Sequence, residues 1–415
     1  MKSKLDQRIE LTQPKVRSIY LSTYIPQKCG IATYTKDLTN AINVLNPYNL
    51  AEIMAVSDNG YDYPWEVKFR ISQAKKEDYL AAADYINKSS AEIFCLQHEY
   101  GIFGGKDGEL VLELLKRIKK PVVTTFHTVL KSPSPSQKKI LKAVAARSNV
   151  VVVMIDTMVD RLTSLYDIPS EKIVVIPHGV PDIPYGPTQF YKKELGLENK
   201  FVVSVNNLLA DNKGFEYLIE AIGKVKDKIP EIQTIIIGET HPIVKKFEGE
   251  KYRNFLESKV KQLKLENYVK FINRYVSLEE LLSYLRATDV YVTPYLDSQA
   301  AASGALSYAV GAGKACISTP YIFAKEVLKD DRGVLVPFKN SDKVAAALLK
   351  IYREPKFRAS IETKSYQHGR TMIWPAVALR YLDLYRLVLG ESAAATARRV
   401  LTNIISPIYS RDKQN

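Results

Sequence analysis

Residues 297–320, DSQAAASGALSYAVGAGKACISTP, combine residue types suited to holding an anion without a metal. The run before them, DVYVTP at 289–294, is rich in β-branched and aromatic side chains and ends in proline, which predicts a buried parallel strand. Small residues then lead through Ser303 and Gly304 into an apolar helix. A glycine there lets the backbone approach a ligand closely, and the unbonded N–H groups of a first helical turn, at the positive end of the helix dipole, attract phosphate oxygens. A tight strand-to-helix turn packed on a neighbour would use the same residues.

Other candidate groups sit where strands end. NNLLADNKG at 206–214 is a polar loop whose Lys213 could meet a phosphate as a point charge, or complete an ordinary loop. FINRY at 271–275 places Arg274 just past another strand, within reach of the same crevice. His98 in QHEYGIFGG (97–105) and His127 in TFHT (125–128) lie at corresponding strand ends, where a histidine is either structural or part of a site. His241, followed by Pro242 and a highly charged helix, reads as a surface residue.

These residues need a scaffold of alternating strands and helices. Strands are predicted at 17–22, 51–56, 91–96, 121–125, 149–154 and 172–176, and again at 201–205, 233–237, 268–271, 290–293 and 315–318. Between the first two, TYIPQKCG (23–30) leaves the strand and Ile31, Tyr34, Leu38, Ile42 and Leu45 recur at helical spacing. The loop is not a G-x-G-x-x-G fingerprint, so nicotinamide binding has little support. Such alternation predicts an α/β protein with two doubly wound parallel sheets, each binding ligands beyond the carboxyl ends of its strands. PHGVPDIPYGP at 177–187 reads as a linker between them. After Trp374, the residues Val377, Leu379, Leu382, Leu384 and Leu387 form a helix whose apolar face needs a partner, and the segment from 392 onward is a weakly amphipathic tail that could dock on a membrane.

The composition supports this. A chain of 415 residues, 46% of them hydrophobic, can build two or three domains. No apolar run approaches the roughly 18 to 20 residues needed to span a bilayer, and the charged N-terminus has no apolar centre like that of a secretion signal, so a cytoplasmic location is expected. Cys29, Cys95 and Cys316 are too far apart for a disulfide framework or a thiolate metal site. The net charge of +14 favours anionic partners, although much of the lysine is scattered on amphipathic helices. Without a basic and aromatic recognition module or zinc-ligand spacing, nucleic acid is not an expected partner.

Five blocks, KCGIATY (28–34), QHEYGIFGG (97–105), IPHGV (176–180), NKG (212–214) and SGALSYAVGAGK (303–314), give the chain its specific character. With them it resembles the family-four retaining glycosyltransferases of the GT-B fold over most of its length. The resemblance implies an N-terminal tail at 1–16, an acceptor-side Rossmann-like domain at 17–186 and a nucleotide-sugar-binding Rossmann-like domain at 187–370, the two facing across a cleft. A crossover helix at 371–391 returns to the first domain, and 392–415 form a tail. It also implies that Gly30 lies near the donor diphosphate and His127 beside the transferred sugar. Lys213 and the amides around Ser303, Gly304, Ala305 and Leu306 would stabilise the departing diphosphate without metal or cofactor. Asn273 and Arg274 would flank the base, with Asn207, Tyr308 and Glu326 also on the donor side. His98, Glu99 and Tyr100 would shape the acceptor side.

Three departures from the family pattern stand out. Ala300 and Tyr308 occupy the positions of two family glutamates, and Leu208 that of an arginine, whose charge Arg274 is expected to replace. The implied reaction is transfer of a hexose from a nucleoside-diphosphate sugar to a carbohydrate or lipid-linked hydroxyl, with retention and possible peripheral membrane contact. Mannose is the first expectation and glucose the second. The alternatives are a glycan phosphorylase on the same fold and a non-catalytic nucleotide-sugar-binding protein.

Overall fold

A computed structural model describes residues 16–57 and 60–390. The expected tail from 392 onward lies outside the described residues. The chain divides into two units, one formed by residues up to 179 together with those from 374, the other by 180–373.

Runs of Val, Ile, Leu and Phe build the sheet of the first unit, since parallel strands covered on both faces need apolar side chains on both. Its strands are β1 (Ser18–Ser22), β2 (Glu52–Val56), β3 (Val67–Ile71), β4 (Ile93–His98), β5 (Val122–Phe126), β6 (Val150–Val153) and β7 (Ile173–Val175). They are all parallel, in the order β3-β2-β1-β4-β5-β6-β7. The order reverses beside β1, which makes its carboxyl end, and the start of helix Gly30–Leu45 that follows, the topological switch point where ligands of such sheets bind. β3 is absent from the sequence expectation. It is an edge strand whose Lys68 and Arg70 stay exposed, so it lacks a continuous apolar run.

Helix Trp374–Val388 completes this unit by packing on helix Gly30–Leu45. Buried tyrosines fasten it: the hydroxyls of Tyr385 and Tyr20 meet at 2.7 Å, and that of Tyr381 meets Tyr34 at 3.1 Å and Thr125 at 2.9 Å. The contact is tight enough that a Cβ on Gly179 would lie 2.1 Å from the Trp374 indole.

The second unit has six parallel strands, β8 (Phe201–Asn206), β9 (Ile232–Ile237), β10 (Val269–Ile272), β11 (Val290–Thr293), β12 (Ala315–Ser318) and β13 (Val334–Leu335), in the order β10-β9-β8-β11-β12-β13. Its reversal falls between β8 and β11. At the amino edge, Lys192 and Asp289 pair at 2.6 Å with side chains only 4% exposed, and Asp289 also accepts from the Val202 amide at 2.7 Å. Val180 bridges to Ile373 and donates its amide to Met372 at 2.8 Å. This pairing draws the whole PHGVPDIPYGP segment after Gly179 into the second unit, so the division falls upstream of residue 186 and, at the other crossing, just past 370.

His98, expected to help shape the acceptor side, lies in the interior of the first unit. Its ring is 0% exposed, boxed by Tyr100, Phe103 and Phe126, and neither nitrogen has a hydrogen-bond partner. It shapes the wall from inside. Burial pushes its pKa down from 6.5 to about 3. Because the folded value lies below the unfolded one, the stability it leaves intact above pH 6.5 is lost as pH falls toward 3. Between pH 7 and 5 this single group should cost about 2 kcal/mol. Urea titrations of the wild type and His98→Phe at both pH values should show that much less acid sensitivity in the variant; equal losses would mean that His98 is not the responsible group.

Candidate functional site

In the second unit, the loop that leaves β8 is held by backbone contacts that admit only glycine at one point. Gly214 has φ +67°, and a Cβ there would lie 2.2 Å from the Pro294 carbonyl oxygen. The Leu296 amide donates to Asn212 at 2.9 Å, tying this loop to the one that leaves β11. Lys213 is thereby placed with its ammonium 4.6 Å from the centre of the Tyr295 ring.

Tyr295 is the hub that the sequence did not reveal. It is 4% exposed, its ring stacks on Tyr321 at 5.1 Å, and its hydroxyl is engaged by Asn207 Nδ2 and Ser303. Three expected donor residues, Asn207, Lys213 and Ser303, therefore converge on one ring. Among the described residues Lys213 makes no ion pair, and burial lowers its pKa, an effect opposed by the Asp297 carboxylate. A partly desolvated ammonium over an aromatic face is a receptive partner for an anion.

Helix Gly304–Gly311 begins beside this hub. Ser303 Oγ accepts from the Leu306 amide at 3.2 Å, and the Ser303 carbonyl accepts from the Ser307 amide at 3.0 Å. The expectation of an open amide at Leu306 is thus corrected, because the serine cap has claimed it. The amides of Gly304 and Ala305 keep no intrahelical acceptor. Tyr308 is buried, and Glu326, half-buried in helix Ile322–Val327, accepts at its carbonyl from Arg332 at 3.1 Å. At Ala300, the backbone carbonyl accepts from the Phe323 amide at 3.2 Å.

The two residues beyond β10 are engaged elsewhere. Asn273 Oδ1 accepts from the buried Arg253. Arg274 donates through both terminal nitrogens to Glu280, once at 2.7 Å, on the surface. The guanidinium expected to replace the missing arginine is thus paired with Glu280.

In the first unit, Cys29 caps helix Gly30–Leu45, its Sγ accepting from the Ala32 amide at 3.3 Å and lying 3.1 Å from Thr23 Oγ1. Gly30 is exposed, and nothing lies within 4 Å of the place its Cβ would take. His127, just beyond β5, is half-buried. Its Nε2 lies 2.8 Å from Gln97 Oε1, and its ring meets Tyr34 edge-on at 5.0 Å. Burial, reinforced by His178 and His98, brings its pKa down to about 3, so the ring is neutral near pH 7. With the Gln97 amide oriented so that its oxygen faces Nε2, the matching tautomer carries the hydrogen on Nε2 and leaves Nδ1 as an acceptor.

His178 packs against the same tyrosine at 5.1 Å and Trp374 at 6.0 Å, and burial holds the His178 pKa down at about 4. Neither Tyr34, Gln97 nor His178 was singled out from the sequence as a site residue; the signal was present in the PHG run, which reads as linker. Glu99 is half-buried. It accepts from Thr128 Oγ1 at 2.5 Å and from the Tyr100 amide at 2.9 Å, capping the short turn Tyr100–Ile102, while burial raises its pKa. Tyr100 donates from its hydroxyl to the Gln137 carbonyl at 3.3 Å.

Comparison with known proteins fits this arrangement. Residues 187–368 match the model "Glycosyl transferases group 1", and 106–182 match "Glycosyltransferase Family 4". The phosphatidyl-myo-inositol mannosyltransferase of Mycolicibacterium smegmatis is 25% identical over 194 residues, 46% of each chain, so the match spans just under half of that relative. A D-inositol 3-phosphate glycosyltransferase of Kineococcus radiotolerans is 23% identical over 327 residues, 72% of this chain and 73% of that one. Among solved structures, the sucrose-phosphate synthase of Thermosynechococcus elongatus superposes with a TM-score of 0.73 at 17% identity, covering 91% of this chain and all (100%) of that one. Anabaena HepE in complex with UDP and glucose gives 0.69 at 15% identity, covering 89% and 99%. The expected architecture of two Rossmann-like domains and a C-terminal helix is borne out, and the chain is a GT-B-fold protein related to the group 1 and family 4 glycosyltransferases.

Proposed function

We propose that the protein is a retaining hexosyltransferase that moves a sugar from a nucleoside diphosphate to a carbohydrate or lipid-linked hydroxyl. The observation that carries this reading is the Lys213 ammonium held over Tyr295 without an ion pair, with Ser303 joining the same ring to a helix start whose Gly304 and Ala305 amides are open. Fixed positive groups of this kind stabilise the charge that develops on a departing diphosphate, and they do so without reorganising during the reaction. No protein nucleophile and no metal are required, and the acceptor attacks on the face the leaving group vacates. The neutral His127 ring orients the sugar through Nδ1. Mannose as the transferred sugar draws support from the mannosyltransferase relative, and the HepE complex supports a uridine nucleotide and glucose as the second choice.

Among the described residues no helix is long and apolar enough to cross a membrane. A lipid-linked acceptor would accordingly be met from the cytoplasm, with the protein resting on the inner face of the membrane.

Ala300 and Tyr308 favour a second reading, nucleotide-sugar binding without transfer, because neither offers a carboxylate to the sugar or the ribose. The two readings separate in a simple sequence of measurements. Melting with a panel of nucleoside diphosphates should raise the unfolding temperature for one of them. Turnover of the matching nucleotide sugar should persist in the presence of a chelator. Release of sugar 1-phosphate when inorganic phosphate is the acceptor would instead indicate a phosphorylase, and donor binding with no turnover under any acceptor would leave only the binding reading.

Lys213→Ala should lower kcat/KM about 100-fold or more, the scale of losing one donor to a developing oxyanion. Transfer at the wild-type rate by this variant would remove the phosphate role. His127→Ala should weaken turnover with unfolding temperature little changed, and an undiminished rate would take it out of the site. Tyr295→Leu should weaken nucleoside-diphosphate binding by calorimetry, because Lys213 loses its support; Tyr295→Phe, which keeps the ring, should bind better than the leucine variant.

A further inference from the structure

A second concave site lies on the first unit, along the outer side of helix Gly30–Leu45. Its volume is about 260 Å³, below the roughly 300 to 1,000 Å³ of sites for drug-sized ligands, which suits one or two small rings. Lys36, Asn40 and Asn43 recur at i, i+4 and i+7 and so line it from one stripe of the helix. Lys36 is six residues, and Asn43 thirteen, beyond Gly30, which at 1.5 Å per residue places them about 9 and 20 Å along the helix from its start. Asn40 and Asn43 therefore lie away from the switch point at the carboxyl end of β1, while Tyr24, two residues past β1, lines the near end of the groove.

Trp65 forms the opposite wall and is 66% exposed, unusual for a tryptophan. The Lys68 ammonium lies 4.9 Å from its ring centre and fixes one face of the indole. Glu66, beside it, is nearly buried. Lys36 Nζ donates to its Oε1 at 2.7 Å and the Tyr24 hydroxyl to the same oxygen at 3.2 Å, and its own backbone amide also bonds the carboxylate, so neither of the two side chains claims Oε2. Asn43 Oδ1 accepts from the Ala51 amide at 2.8 Å, which leaves its NH₂ as a donor. Asn40 is exposed, and its side chain makes no hydrogen bond among the described residues.

The charges select the ligand. Among the lining residues Lys36 is the one cation and is paired with Glu66, while Lys68 stands over the indole beside the groove, so a phosphate entering it would meet the Glu66 carboxylate and an already paired ammonium. What remains is a broad aromatic face with a negative quadrupole, two amides and a carboxylate oxygen. A sugar ring matches this set: its C–H face carries partial positive charge and packs on the indole, while its hydroxyls donate to Glu66 and accept from the asparagines. We propose that Trp65, Asn40, Asn43 and Glu66 form a saccharide-binding subsite that holds a neutral glycan away from the donor machinery. It uses different residues from the donor site and stands or falls independently of glycosyl transfer.

The test titrates the full chain with short neutral oligosaccharides of the gluco and manno series, followed by calorimetry and by tryptophan emission. Only two tryptophans are present, and Trp374 is buried, so an emission shift on binding reports Trp65. At least one oligosaccharide should bind, Trp65→Ala should weaken it tenfold or more, Asn40→Ala should weaken it several-fold, and Trp65→Phe should retain part of the affinity. Nucleoside-diphosphate affinity should be the same in Trp65→Ala as in the wild type, which separates this site from the donor site and shows that the variant is folded. Absence of binding across the series, equal binding by Trp65→Ala, or an emission shift caused by lipid vesicles and not by glycans would each overturn the proposal.

Discussion

An ammonium kept partly out of water with no ion pair among the described residues is the constraint on which the second unit turns. Desolvation disfavours the charged form of Lys213, an effect that the Tyr295 ring and the Asp297 carboxylate oppose. Such a group stays in place only if the surrounding backbone leaves it little alternative. That is what the loop ends do: Gly214 lies against the Pro294 carbonyl, and Gly238, at φ +139°, lies so close to Asn207 that a Cβ would meet its carbonyl oxygen at 2.0 Å. The carboxyl ends of β8, β9 and β11 are drawn together at separations that no larger residue would permit, and Asn207 reaches Tyr295 as a result.

The first unit solves a different problem, that of keeping histidines neutral. His98, His127 and His178 all have pKa values depressed well below the working range, chiefly by burial. Around them the polar atoms of Tyr20, Tyr34, Tyr381 and Tyr385 are satisfied by one another and by Thr125, which lets helix Trp374–Val388 be laid against helix Gly30–Leu45 through large side chains without stranding their hydroxyls. Packing of the last helix and the electrostatic state of His127 are therefore linked through one residue, Tyr34, which touches the His127 ring with its edge and Tyr381 with its hydroxyl.

Most of this framework was legible because buried parallel strands have to be apolar on both faces, and each predicted strand rests on such a run. The exceptions follow the same logic. β3 shows alternation with exposed Lys68 and Arg70 because it is an edge, and β13 has only two residues, too short to leave a pattern. Candidate site residues are legible where chemistry coincides with a motif, as for Lys213 in NKG. His98 and His127 look equivalent in sequence, each closing a strand, yet one ring turns into an aromatic box and the other finds Gln97; the distinction depends on Phe103 and Phe126 from separate segments. Arg274 invited a functional reading because the sequence does not show that Glu280 will fold back onto it. Tyr295 follows a proline in a loop with no periodicity, so nothing short of the folded backbone reveals that Lys213, Asn207 and Ser303 share it.

The same residue type shows how the second unit separates stability from chemistry. Lys192 and Lys213 are both drawn out of bulk water, but Lys192 is matched at 2.6 Å by Asp289, which also binds the Val202 amide and attracts Arg358 at 3.4 Å. Stripped of Asp289, Lys192 would be an uncompensated buried charge, the expensive half of a broken pair. Lys314 is handled in a third way at that edge, its ammonium donating to the Arg286 carbonyl at 2.9 Å while burial brings its pKa to about 8. At the amino edge of the sheet, then, Lys192 and Lys314 each have an acceptor built into the fold. At the carboxyl edge Lys213 has the Tyr295 ring beside it and, among the described residues, no ion pair. That leaves its ammonium open to the anion proposed above, and the close glycine contacts at Gly214 and Gly238 fix the loops that hold it there.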